Sequence, residues 1–122
     1  MSTPAYSIEV TATIREAARA LAEAGVGALV VVEHGMPAGM VSERDVVQLL
    51  ADKQDPDRSQ VADTLNEHIV WAHPDDSITH VAGLMRLSGI RHVPVRNEFG
   101  LLGMVSTRDV LDALLPGAKA AC

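Results

Sequence analysis

One stretch constrains the fold more than any other because it occurs twice. Gly39-Met40-Val41-Ser42-Glu43-Arg44-Asp45-Val46-Val47-Gln48-Leu49-Leu50 returns as Gly103-Met104-Val105-Ser106-Thr107-Arg108-Asp109-Val110-Leu111-Asp112-Ala113-Leu114, with eight of twelve positions identical. Carried backwards without a gap, the 64-residue offset pairs Val31 with Val95, Val26 with Ile90, Gly25 with Gly89, Ala18 with Ala82, Ile14 with Ile78 and Thr13 with Ser77. The chain is a tandem duplication, and two copies of one supersecondary unit can bury what neither buries alone. At 122 residues the two copies are expected to share one core.

That core must be aliphatic. Apolar residues make up 48% of the sequence but aromatics only 2%, leaving Val, Ile, Leu, Met and Ala to fill it. With 10 Lys and Arg against 16 Asp and Glu and no basic run, the charge argues against a nucleic-acid partner. The single cysteine, Cys122, cannot close an intramolecular disulfide, which fits a reducing compartment. No basic-then-apolar leader opens the sequence, and no segment approaches the ~18 apolar residues of a membrane span. A soluble cytoplasmic protein is expected.

In the first copy, Tyr6 to Val10 alternates as a short strand does. Thr13 with Glu16 reads as a capping box, and Ile14, Ala17, Ala18 and Leu21 recur at helical spacing up to Gly25. Ala28 to Val32 is a continuous β-branched run, as in a strand covered on both faces. A turn at Glu33 to Pro37, a strand at Ala38 to Val41 and a helix from Ser42 complete a strand-helix-strand-strand-helix unit at 6–51. Residues 52–60 hold no large apolar side chain and read as a linker. The second copy, 61–116, opens with a short helical turn at Val61 to Leu65. It continues with a strand at His68 to His73, a helix at Ser77 to Ser88, strands at Arg91 to Arg96 and Leu101 to Val105, and a helix at Thr107 to Leu115. Residues 117–122 are expected to be a loose tail.

These residues resemble the tandem cystathionine-β-synthase-type (CBS) domain pair, or Bateman module, over nearly the whole chain. The resemblance rests on Arg91-His92-Val93-Pro94-Val95, matching an apolar-X-Pro-Val strand, and on the Gly-apolar-apolar-Ser/Thr-X-X-Asp that follows in both copies. It implies an α/β (α+β) fold in which two β-α-β-β-α repeats pack with pseudo-two-fold symmetry into one module, 1–122. The first copy departs from the pattern in having Val30 where the second has Pro94, and in a shorter leading segment.

Ser42 with Asp45, and Ser106 with Asp109, admit two readings. Each is the pattern of a capping box, with Ser at the N-cap and an acid reaching back from the first turn. A helix N-terminus can equally receive a phosphate while the carboxylate accepts ribose hydroxyls, the role the resemblance implies. Arg44 and Arg108 could close over phosphates or remain solvated. By the resemblance, Arg91, His92 and Pro94 line a cleft. Tyr6 with Val26, Gly27 and Ala28 would wall one purine site, served by Ser106 and Asp109. Val70 with Ile90 and Arg91 would wall the other, served by Ser42 and Asp45. As apolar residues, Tyr6, Val26 and Ile90 fit a plain core role as well.

His34, His68, His73, His80 and His92 show no i, i+4 pair or zinc-site interval, so no metal is expected. Nor does a nucleophile stand beside a base, so no catalysis is expected. The reading is a regulatory module that requires no cofactor, binds AMP, ADP, ATP or a related molecule such as NAD in clefts between the repeats, and signals to an effector protein. The resemblance also implies a homodimer through the helices bearing Ala17, Ala18 and Leu21 or Val81, Leu84 and Met85. Val30 and the short leader motivate the alternative, a ligand-independent dimerisation or docking module with vestigial clefts.

Overall fold

The computed structural model describes residues 6–115. It divides between Ile69 and Val70 into two compact units. The buried side chains form one cluster in each unit. The physical reason is local: in each unit the helices cover their own sheet.

In the first unit β1 (Ser7–Glu9) leads into α1 (Ile14–Ala24), then β2 (Ala28–Glu33), β3 (Met36–Ser42) and α2 (Glu43–Ala51). The Thr13 hydroxyl accepts the Glu16 N–H, and the Glu16 carboxylate accepts the Thr13 N–H at 3.1 Å, so α1 starts where the capping box predicts. Gly25 ends it in the left-handed region at φ 66°, a conformation that costs glycine nothing. The sheet order is β1-β2-β3, with β1 parallel and β3 antiparallel to β2. Ile14, Ala17 and Leu21 of α1 pack with Leu29, Val31, Val41 and Val46, an aliphatic core as the composition required.

Residues 55–66, expected as linker and leading turn, are bound to this unit. Ile14 N–H donates to the Ser59 carbonyl at 2.9 Å, Arg15 N–H to Pro56 at 3.0 Å and Val61 N–H to Ala12 at 2.8 Å. A 3-10 turn at Val61–Thr64 buries Val61 in the core, and the chain then bridges Met40 through Asn66.

The second unit holds α3 (Ile78–Ser88), β4 (His92–Asn97), β5 (Gly100–Ser106) and α4 (Thr107–Leu114). β4 and β5 pair antiparallel around a core of Ala72, Val81, Met85, Val93 and Val110. The strand expected over His68 to His73 is reduced to one residue, Ala72, bridging Val95 in parallel. Ala72 N–H donates to Pro94 and Arg96 N–H donates to Ala72, both at 3.0 Å. Pro94 has no N–H to extend the ladder, and Pro74 follows, so pairing stops there. The tail at 117–122 lies outside the described residues. No helix among the described residues is long and apolar enough to cross a membrane.

Candidate functional site

Both Ser-X-X-Asp segments sit where a strand becomes a helix. Ser42 caps α2: its hydroxyl accepts the Asp45 N–H at 3.2 Å, and Asp45 Oδ2 accepts the Ser42 N–H at 2.8 Å. Ser106 caps α4 the same way, at 3.1 and 2.8 Å. The capping reading is thus realised in both copies. Each box uses one carboxylate oxygen, Oδ2, and no hydrogen bond within the described residues falls on Oδ1 of Asp45 or Asp109. The pair therefore leaves an acceptor at the positive end of a helix, where an incoming hydroxyl can reach it. Arg44 and Arg108 are exposed beside these caps.

Each cap is fastened to the segment that enters the sheet. In the first unit Ala28 lies opposite Ser42, and the Glu43 N–H donates to the Gly27 carbonyl at 2.9 Å. In the second, His92 lies opposite Ser106, and the Thr107 N–H donates to the Arg91 carbonyl at 2.8 Å. Gly27 and Ala28 are thus brought beside Ser42, and Arg91 and His92 beside Ser106, within each unit by itself. Val26 and Ile90 are half-buried and pack against their respective cores, as their apolar character alone predicts.

Tyr6 and Val70, equivalent by the 64-residue offset, are both half-buried. The Tyr6 carbonyl accepts the Val30 N–H at 2.7 Å. At the equivalent place Pro94 is fully buried and has no N–H to give Val70.

An open groove of about 450 Å³ runs along α3 and α4 of the second unit. It brings the expected Ile90 and Arg91 together with Met85, Arg86, Thr107 and Leu111. Ser106, Asp109, His92, Pro94 and Val70 are not in its lining. Arg86 and Thr107 were not singled out from sequence. Arg86 sits one helical turn after Ala82 on α3, and both line the groove, a spacing that would have signalled the shared face. The Thr107 hydroxyl donates to the Arg91 carbonyl at 3.3 Å and contacts Met85 Sδ at 3.7 Å, joining three residues of the groove lining. Among the described residues no group of three or more His, Cys, Asp or Glu is placed to hold a metal ion.

The chain is similar to known proteins in sequence and in fold. A 17.7 kDa uncharacterised protein of Acidianus ambivalens is 34% identical over 116 residues, covering 93% of this chain and 70% of its own. Among solved structures, a CBS domain protein of Pyrobaculum aerophilum complexed with AMP is 36% identical, with a TM-score of 0.74 over 89% of this chain and 85% of that one. The CBS domain pair of protein MJ0100, in complex with 5′-methylthioadenosine and S-adenosyl-L-methionine, is 25% identical, with a TM-score of 0.80 over 93% and 90%. The sequence model of the CBS domain matches residues 1–52 and again 61–116. With both repeats matched and the β-α-β-β-α order seen in the first unit, the chain belongs to the CBS domain family as a tandem pair.

Proposed function

We propose that this CBS pair is a non-catalytic regulatory module that binds an adenine nucleotide or a related adenosine compound and passes its occupancy to an effector protein. The observation that carries the reading is the duplicated cap. Ser42-Glu43-Arg44-Asp45 and Ser106-Thr107-Arg108-Asp109 each offer a helix N-terminus, an exposed guanidinium and one uncommitted carboxylate oxygen. Phosphate suits the first two and ribose the third. Tyr6, Val26, Gly27, Ala28, Val70, Ile90, Arg91, His92 and Pro94 supply the walls. The AMP and S-adenosylmethionine complexes of the two structural relatives support an adenosine ligand.

Binding must favour one conformation for occupancy to act on a partner. The test is a thermal-shift panel of AMP, ADP, ATP, NAD, NADH and S-adenosylmethionine. A ligand at 100 times its Kd adds about 2.7 kcal/mol of stability. A shift by one of them that disappears in Asp45→Ala or Asp109→Ala supports the reading; no shift with any of them removes it.

A cytoplasmic homodimer belongs to the same proposal. Leu111, Leu114 and Leu115 are more than half exposed at the α4 end of the second unit, and Leu87 on α3 is 88% exposed. Apolar surface of this kind favours a partner. Those same residues also favour the second reading, a docking module whose capping acids serve structure alone. Sedimentation of the pure protein with and without nucleotide separates the two: dimerisation indifferent to every nucleotide points to docking.

A further inference from the structure

The two repeats present the same helical face with different charge. In the second unit the groove along α3 and α4 has an apolar floor that includes Met85 and Val110, and it carries Arg86, Arg91 and Thr107. The 64-residue offset puts Ala22 where Arg86 stands, Gly27 where Arg91 stands and Glu43 where Thr107 stands. The packing beneath is alike in both: α1 meets α2 as α3 meets α4, and Leu21 and Val46 are buried as Met85 and Val110 are. One face therefore bears two cations, and its counterpart bears one acid beside two small uncharged residues. The remaining exposed cations of α1 and α2, Arg15, Arg19 and Arg44, correspond to Thr79, Gly83 and Arg108, none of which lines the groove. Glu43, Arg86 and Arg91 are exposed, and none of them forms an ion pair among the described residues.

Each face also exposes the same apolar stripe. Val47 and Leu50 on α2 correspond to Leu111 and Leu114 on α4, and all four are exposed. Apolar side chains three apart share one side of a helix, and their exposure favours burial against a partner. Charge then selects the partner. Like faces set together bring Arg86 and Arg91 of one copy toward the same arginines of the other, and Glu43 toward Glu43, which opposes association. Unlike faces set Glu43 against both arginines. We infer that two copies of this chain associate head to tail, the first-repeat face of one seated on the second-repeat groove of the other, with Glu43 engaging Arg86 and Arg91. This rests on the homodimer reading above and gives it an orientation.

The experiment is sedimentation equilibrium of the full chain without nucleotide, for the parent, Glu43→Arg, the pair Arg86→Glu/Arg91→Glu, and the triple variant that combines them. In a head-to-tail contact either reversal alone sets like charge against like, and each is expected to raise the Kd of self-association about tenfold or more. The triple variant exchanges the two signs across the contact and is expected to return to within about threefold of the parent. Higher salt should weaken the parent and the triple variant alike. In a like-on-like contact each reversal only replaces one like pair by another, so the Kd would stay near the parental value throughout. A Kd unchanged by either reversal, or a triple variant that stays weak, would overturn the head-to-tail inference and leave the homodimer standing. A parent that sediments as a monomer overturns both.

Discussion

Gly39 and Leu65 approach so closely that no side chain fits between them. A Cβ on Gly39 would lie 2.5 Å from Leu65 Cδ1 and 2.5 Å from the Asn66 carbonyl oxygen. Leu65 could shift, but the Asn66 carbonyl is held by the Met40 N–H at 2.9 Å. Gly39→Ala is therefore expected to cost about 1–3 kcal/mol, the range for overpacking. Urea unfolding would show it as a lower midpoint. Leu65→Ala in the Gly39→Ala background should recover only part of the loss, since the backbone clash remains. Full recovery would mean that the side chain alone sets the spacing.

Gly83 is the contrasting case. It lies inside α3, and a Cβ there meets nothing within 4 Å. Glycine in a helix interior is about 1 kcal/mol worse than alanine. Gly83→Ala is expected to stabilise the protein by roughly 0.5–1 kcal/mol, read as a higher unfolding midpoint. An unchanged or lower midpoint would show that α3 needs the missing side chain for a contact made in the assembled protein.

These two glycines mark how far the sequence was legible. The duplication, the helix starts at Thr13, Ser42, Ser77 and Ser106, and the hairpins were readable because each has a local signature: a cap, a period or a turn. The attachment of residues 55–66 to the first unit was not, because Met40 with Asn66 and Ala12 with Val61 are long-range backbone pairings that carry no side-chain pattern. The shortened strand at Ala72 left a trace in Pro94, whose missing N–H limits the ladder from the neighbouring strand. In the site, Ser and Asp were legible as a pattern whose geometry serves capping and binding alike. Arg86 and Thr107 were not, since the groove they line depends on how α3 meets α4.

The two serine caps allow structure and binding to be separated. Ser42→Ala and Ser106→Ala each remove the acceptor for an Asp N–H and are expected to cost about 1 kcal/mol without ligand. Because the Asp Oδ1 atoms remain, the nucleotide-dependent part of the thermal shift should fall less in these variants than in Asp45→Ala or Asp109→Ala. Equal losses in the Ser and Asp variants would mean that the acids act on ligand only through the helix start.

The Arg15 guanidinium grips Asp57 at two points, with Nη2 3.1 Å from Oδ2, and ties the inter-repeat segment to the start of α1. The hydrogen bond from Arg15 holds the Asp57 carboxyl below its usual range against the opposing effect of desolvation, and the charges of Arg15 and Arg19 add to the lowering. Glu16 is lowered too, chiefly by the Thr13 backbone N–H. A carboxyl with a depressed folded pKa contributes stability above its unfolded value, about 3.9 for Asp, and loses that contribution as pH falls through the folded value. Both groups are solvent-exposed, so the effect is small and salt-sensitive. Asp57→Asn is expected to lower stability slightly at pH 7 and to flatten its decline below pH 4, with the difference from the parent shrinking in 1 M salt. Parallel pH profiles for parent and variant would show that the ion pair contributes nothing to holding the segment in place.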